Sequence, residues 1–496
     1  MQRPELKTLA AALSAALLLA GCAVGPDYRR PDSTLPDRFS ESDAVPLARS
    51  AAVQQEWWKL FQDPTLDGLM DKAFQYNTDL LLAVARLEES EGLVREARAA
   101  FFPEIGAQAN SVRTRASGVT FSPVPAGMDP VYTDHKAVLN TSFELDVWGK
   151  LRRASEAARA QALANRYNRD TVQLTLAGQV AQAYLSLRAY DAQLVAARET
   201  LKSREEALDI ARSRQRGGLA SALDVQQAET NRAAIQAQMS TLRRQRALSL
   251  HLLALLTGVG DLAIGEGDLR VLPQPPVPPA GLPSTLLEAR PDLRQAEELL
   301  VSANAQIGVA KAALFPTISL TGLFGSESET LSNLFTSPGR IWSYGAGVSM
   351  PIFAAGKYMA RLDQATARQK QAVATYQKAV QSAFKEVNDA LVNLREAGEN
   401  ESAQQTRYDA AKKSLDLAQL RYKSGYSPFL EVLDAQRTSN DAQVDLISAR
   451  QARLSATVDL FKALGGGWQD GTPRNPEAQP PAPVAANATT PGKPAN

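Results

Sequence analysis

A chain of 496 residues with 54 basic and 53 acidic side chains has almost no net charge, and no basic patch stands out, so nucleic acid is excluded as a partner. One cysteine rules out an internal disulfide. Aromatics at 6%, against abundant Ala, Leu, Gln, Glu and Arg, speak against thick cores and for long helices or coiled coils.

The chain starts with Arg3 and Lys7 and runs into LAAALSAALLLA, Leu9–Ala20. That run is too short for a membrane-spanning helix, which needs ~20 apolar residues. It fits the apolar region of a secretory signal. Leu19-Ala20-Gly21-Cys22 resembles the bacterial lipobox. Residues 1–21 are expected to be a lipoprotein signal peptide. Cys22 would then carry a diacylglycerol on its thiol and an acyl chain on its new amino group. Ala23 rather than Asp after the Cys favours the outer membrane, by similarity to sorted lipoproteins. The competing reading is a buried N-terminal helix that ends in a core Cys. Residues 22–63 are expected to form a tether and collar segment.

A first structural repeat is expected over 64–270. It opens with a helix, followed by strands at about 103–116 and 136–148. In KAVLNTSFELDVW, Ala137, Leu139, Phe143, Leu145 and Val147 alternate with Asn140, Ser142, Glu144 and Asp146. Such period-two patterning over ~10 residues suits a membrane-spanning strand. Lys150 to Arg216 contains no Pro and one Gly, so it reads as one helix. About 65 residues at 1.5 Å each span roughly 100 Å. A helix at 219–257 follows. Residues 271–289 hold six prolines and are expected to be an extended linker or collar.

A second repeat is expected over 290–468, in the same order. Its strands fall at about 316–325 and 341–353, its long helix at 357–423 and its last helix at 428–464. Gly356-Lys357 repeats Gly149-Lys150, and ALFPTI at Ala313–Ile318 repeats AFFPEI at Ala100–Ile105. Trp148, Trp342 and Tyr344 are placed to meet bilayer interfaces. The tail 469–496 is low in complexity and expected to be disordered.

Each strand alone also fits a half-buried strand of a soluble sheet, and the helices alone fit a coiled-coil rod. Four strands cannot close a barrel, because single-chain outer-membrane barrels begin at about eight. An open edge in lipid leaves backbone groups unpaired. If the strands span a membrane, several chains share one barrel. Strand count alone does not choose between a dimer and a trimer.

AVGPDYRRP after Cys22, EWWKLFQDPTLDGLMDKAFQYNTDLLLA (Glu56–Ala83), ELDVWGKLRR (Glu144–Arg153), GLPSTLLEARPDL and GYSPFLEVLDAQ (Gly425–Gln436) resemble the outer membrane factor family. The match is to its lipoprotein branch, the NodT-like channels of tripartite efflux pumps. The resemblance implies an α+β fold. Four strands per chain would be shared in a homotrimeric membrane β-barrel, which continues into a long periplasmic α-helical barrel. It also implies a periplasmic adaptor, an inner-membrane transporter of the resistance–nodulation–division (RND) type, and outer-membrane lipid as partners. The segments around Gly118–Asp134 and Ser326–Arg340 would be extracellular loops.

The resemblance further implies a gate at the periplasmic helix tips. Asp434 stands at the family's constricting acidic ring, Glu431 at a second acidic layer, and Leu430 one turn earlier as an apolar plug. Carboxylates crowded near an axis repel one another and attract cations. Tyr422 matches a tyrosine that locks the closed state onto an Asp, here Asp224. The family's lock also has an Arg where this chain has Ser427, and Arg216 is the candidate replacement. Gln227 stands in the first repeat where Asp434 stands in the second.

No catalytic or metal constellation accompanies these features. His135, in an expected loop, and His251 are isolated. GVGDLAIGEGDL, Gly258–Leu269, is neither a dinucleotide fingerprint nor a P-loop. No cofactor beyond the lipid on Cys22 is expected. The alternative to an exit duct is a lipid-anchored, non-conducting helical scaffold of the envelope, which would not need lipid-facing strands.

Overall fold

The computed structural model describes residues 23–32, 36, 38–40, 53, 55–119, 127, 129–277 and 283–469. The signal segment, Cys22 and all of the tail but Gln469 lie outside the described residues, as does much of the first expected extracellular loop.

Helices α1 (Pro64–Tyr76) and α2 (Thr78–Ala99) open the first repeat. Asn77 joins them: its Oδ1 accepts from the amides of Asp79 and Leu80, and its Nδ2 donates to Leu256 O. Strands β1 (Glu104–Arg115) and β2 (Val131–Leu145) lead into α3 (Lys150–Arg216), and α4 (Ala222–Thr257) returns beside it. The second repeat runs α5 (Pro283–Ala289), α6 (Pro291–Ala312), β3 (Thr317–Ser328), β4 (Arg340–Ser349), α7 (Lys357–Lys423) and α8 (Phe429–Ala463). Both strand-to-helix turns use a left-handed glycine, Gly149 at φ 76° and Gly356 at φ 81°. That conformation is strained for a residue with a Cβ, which explains the repeated Gly-Lys.

The four strands form one antiparallel sheet in the order β1-β2-β3-β4. Its register puts Leu139 opposite Phe324 and Phe324 opposite Trp342. Thr141 pairs with Ile105 and Gly322, and Gly322 with Tyr344. Directly paired residues share a face, so Ile105, Leu139, Phe143, Leu320, Phe324, Trp342, Tyr344 and Val348 make one apolar face. Nothing among the described residues covers it; Phe324 is 62% and Trp342 68% exposed. The opposite face carries Gln108, Asn110, Asn140, Ser142, Glu144, Ser319, Thr321 and Ser343. β1 and β4 are open edges.

The thick packing lies below the sheet. Trp57, Phe61, Met70, Tyr184, Leu185, Leu253 and Phe461 form one cluster, with Trp57 stacked on Phe461 at 5.5 Å. Leu293, Leu300, Tyr376, Val387, Leu391 and Leu460 form another between α6, α7 and α8. Toward the helix tips the apolar contact narrows to Leu208, Ala211, Ala228, Phe429, Val432 and Leu433.

Several expected boundaries move. β2 begins at Val131 and ends at Leu145 rather than spanning 136–148. The strand stops because the Asp146 carboxylate accepts from the amides of Leu151 and Arg152, satisfying free donors at the start of α3. Trp148 is therefore a junction residue, not a strand-end interface residue: its indole donates to Pro316 O and stacks on Phe315 at 4.9 Å. His135 lies in β2, paired with Ser111 and Ser328, not in a loop. β3 extends to Ser328, and β4 ends at Ser349, before Pro351 removes an amide donor. Part of the linker is helical: α5 opens on Pro283, a first-turn position where no amide hydrogen is needed. α4 starts at Ala222 rather than 219, capped by Ser221.

Candidate gate at the helix tips

The described chain begins at the base of the sheet. Val24 N donates to Trp148 O, and Gly25, at φ 121°, packs so close to Gly308 that a Cβ there would lie 2.6 Å from the Gly308 Cα. Asn304 Nδ2 donates to Pro26 O. Asp27 pairs with Arg153 at 2.6 Å, and Arg30 makes two hydrogen bonds to the Glu297 carboxylate, at 2.6 and 2.7 Å. The Tyr28 hydroxyl also donates to Glu297, and burial beside that carboxylate pushes its pKa far up. The residues just after Cys22 are thus held where strands give way to helices.

A buried ionic network braces the middle of the first hairpin. Asp191, without exposed side chain, pairs with Arg188 at 3.2 Å and Arg246 at 2.5 Å and accepts from Gly267 N. Arg188 also donates to the Tyr184 hydroxyl, which in turn donates to Asp63. Sequence reading missed this network. Its members are spread over four segments, and only Arg188 and Asp191, three apart on one helix, hint at a pair.

At the tips, the three expected gate residues and the two lock residues lie beside two turns, between α3 and α4 and between α7 and α8. Glu431 and Asp434 take different partners. Glu431 faces α7 and pairs with Arg421 at 3.5 Å. Asp434 pairs with Arg437 on its own helix at 2.8 Å, which holds the Arg437 pKa above its ordinary value. Leu430 is 62% exposed and shares a groove with Asp434, Arg437 and, from α4, Leu223, Gln227 and Thr230. Neither arginine was singled out from the sequence, although Asp434 and Arg437 stand at ion-pair spacing.

Tyr422 and Asp224 make separate contacts. Asp224 closes a capping box: its carboxylate accepts from the amide and hydroxyl of Ser221, and Ser221 Oγ accepts from Asp224 N. The Tyr422 ring packs on Phe429 at 5.2 Å, with the Arg214 guanidinium over it at 4.4 Å. Arg216, the expected replacement base, donates instead to Ser213. In this structure Arg214 is the cation at Tyr422. Helix phase explains the exchange, because two residues along a helix turn the side chain by about 200°. The Ser427 hydroxyl is buried with no partner among the described residues.

The family model described as outer membrane efflux protein matches residues 69–259 and 282–466. The solvent efflux pump outer membrane protein SrpC of Pseudomonas putida is 36% identical over 462 residues, which are 92% of this chain and 97% of SrpC. The pyoverdine export outer membrane protein OpmQ of Pseudomonas aeruginosa is 35% identical over 467 residues, 92% of this chain and 96% of OpmQ. Among solved structures, the Campylobacter jejuni CmeC outer membrane channel is similar at a TM-score of 0.84 and 25% identity, over 91% of this chain and 96% of that one.

Proposed function

This chain belongs to the outer membrane efflux protein family, and on that premise we propose that it is the trimeric exit duct of a tripartite efflux system. The duct passively conducts drugs or other small toxic compounds from an RND-type inner-membrane transporter and a periplasmic adaptor to the exterior. The sheet carries the proposal. Its uncovered face is apolar, its other face is polar, and both edges are open. Backbone groups left unpaired in lipid cost several kcal/mol each. Pairing β4 of one copy with β1 of the next removes that cost. Three copies close a twelve-stranded barrel, with the apolar face toward outer-membrane lipid and the polar face toward the lumen.

α3, α4, α7 and α8 then supply twelve long helices to a periplasmic tube. Cleavage of the signal peptide before Cys22 and acylation of that residue, with diacylglycerol and an N-acyl chain such as palmitate, tether each copy. The position of Val24 at the strand–helix junction supports this reading, since an acyl chain there reaches the same membrane. The gate is the groove at Leu430 and Asp434 together with Glu431. The relatives' names attach to different cargoes at almost equal identity, so the shared features are those of the duct rather than of one cargo.

Purified trimer in planar bilayers tests the proposal. Discrete conductance is expected, and Glu431→Ala combined with Asp434→Ala should raise it. Folded protein that conducts neither before nor after those changes would leave the scaffold reading in its place.

A further inference from the structure

The apolar face of the sheet is charged at one end only. Directly paired residues share a face, and successive residues of a strand alternate. β1 thus gives this face Ile105 near its base and Arg113 and Arg115 at its far end. β2 gives it Leu139 and, farther out, His135; β4 gives it Tyr344 and Trp342 and, at its far end, Arg340. Every acidic residue of the four strands, Glu104, Asp134, Glu144 and Glu327, stands on the opposite face. There Glu327 takes Lys136 as its partner, at 3.2 Å. Arg113, Arg115 and Arg340 are exposed, and their guanidinium groups have no acidic partner among the described residues.

The arginines share a height. Arg113 stands nine residues up β1 from Glu104, and Arg340 nine residues up β4 from Ser349. Nine residues at ~3.3 Å in a strand tilted by about 40° rise roughly 23 Å. That is close to the ~25 Å height of the apolar band of a membrane barrel. Both side chains leave the band at the headgroup level, on the side away from the helices. Pairing β4 with β1 of the next copy sets Arg340 beside Arg113 and Arg115 of that copy. Crowded like charges repel, and an anion between them removes the cost. Below Arg340, Leu139, Gly322, Phe324, Trp342 and Tyr344 line an apolar groove of about 530 Å³, with Trp342 stacked on Tyr344 at 5.6 Å.

We infer that this end of the face is a binding site for a phosphorylated glycolipid of the outer leaflet, three to a trimer; the inference rests on the reading of the chain as a shared barrel. Guanidinium groups take phosphate oxygens two at a time, through parallel N–H donors. The groove beneath takes an acyl chain. The face carries no charge at its periplasmic end, where Ile105, Phe143, Leu320 and Val348 lie. A site at one end only fits a lipid confined to one leaflet better than a phospholipid present in both.

Native mass spectrometry of the purified full-length trimer tests the site. Diphosphorylated lipid A should bind about ten-fold or more tightly than its dephosphorylated form or phosphatidylethanolamine. Arg113→Gln with Arg340→Gln should remove most of that preference and leave conductance in planar bilayers unchanged, because both side chains face away from the lumen. If the double variant does not assemble, each substitution is measured alone, with a smaller loss expected. Millimolar inorganic phosphate should not displace the lipid; displacement would show a bare phosphate site and overturn the glycolipid. Conducting trimers that show no preference for the phosphorylated lipid, or keep it fully in the variants, would overturn the site and leave the duct standing. A chain that forms no conducting trimer would overturn the duct and the site with it.

Discussion

The Arg214 guanidinium stands 4.4 Å from the centre of the Tyr422 ring, tying the last turn of α3 to the last turn of α7. The contact uses the ring face, not the hydroxyl. A cation over an exposed aromatic face contributes about 0.5–1 kcal/mol. Removing Arg214 should therefore shift the tip equilibrium toward the open state by roughly two- to five-fold. Arg214→Ala and Tyr422→Ala should both raise conductance, whereas Tyr422→Phe should leave it near the parent value. Opening by Tyr422→Phe as large as by Arg214→Ala would show that the hydroxyl is the lock.

Asp191 is the acceptor on which Arg188, Arg246 and the Gly267 amide converge. Removing one partner of a buried charge network leaves the others uncompensated, at about 3–5 kcal/mol. Asp191→Ala is expected to lower the thermal stability of the folded protein by that order, read by the loss of far-UV signal on heating. A shift within the scatter of surface variants such as Lys385→Ala would refute a bracing role.

Asp459 supplies a pH test. Burial raises its carboxyl pKa above the usual value, and Gln182 donates to its Oδ1. The folded state then holds the proton more tightly than the unfolded state. Stability is highest below the unfolded pKa and is lost as pH rises through the folded one. At neutral pH the ionised side chain is a cost. Asp459→Asn keeps the acceptor and removes the charge, so it should raise the midpoint of thermal unfolding at pH 7. The advantage should shrink as pH is lowered through the carboxyl range. A benefit that does not change between pH 7 and pH 4 would point to something other than ionisation.

The anchor at Cys22 is tested by mass. Cys22→Ser removes the thiol that takes the diacylglycerol, so the mature protein should lose its lipid mass and its label from radioactive palmitate. Unchanged lipid labelling would sink the anchor reading. In the proposed duct, trimer assembly is expected to survive this change, because the barrel strands would hold the membrane independently.

Much of the architecture is written in local pattern. Lys150–Arg216 and Lys357–Lys423 are helices because nothing in them breaks the backbone ladder, and the repeated Gly-Lys marks where each begins. Period-two alternation marks each strand, since side chains must leave a strand on alternate faces. Where the strands stop was not legible. Asp146 continues the alternation in sequence, yet its carboxylate is drawn to the amides of Leu151 and Arg152. Trp148 reads as an interface residue but stacks on Phe315, from the other repeat.

The sequence by itself determined the element order, the internal repeat, the candidate gate turn and the family. These follow from periodicity, helix-breaking residues and motifs a few residues long. Only the tertiary structure decided which charges meet. Whether Tyr422 faces Arg214 or Asp224, and whether Glu431 meets Arg421 across the turn, depend on the crossing and phase of the long helices α3, α7 and α8. A rotation of one residue, about 100°, would change every one of those partners without altering a single local pattern.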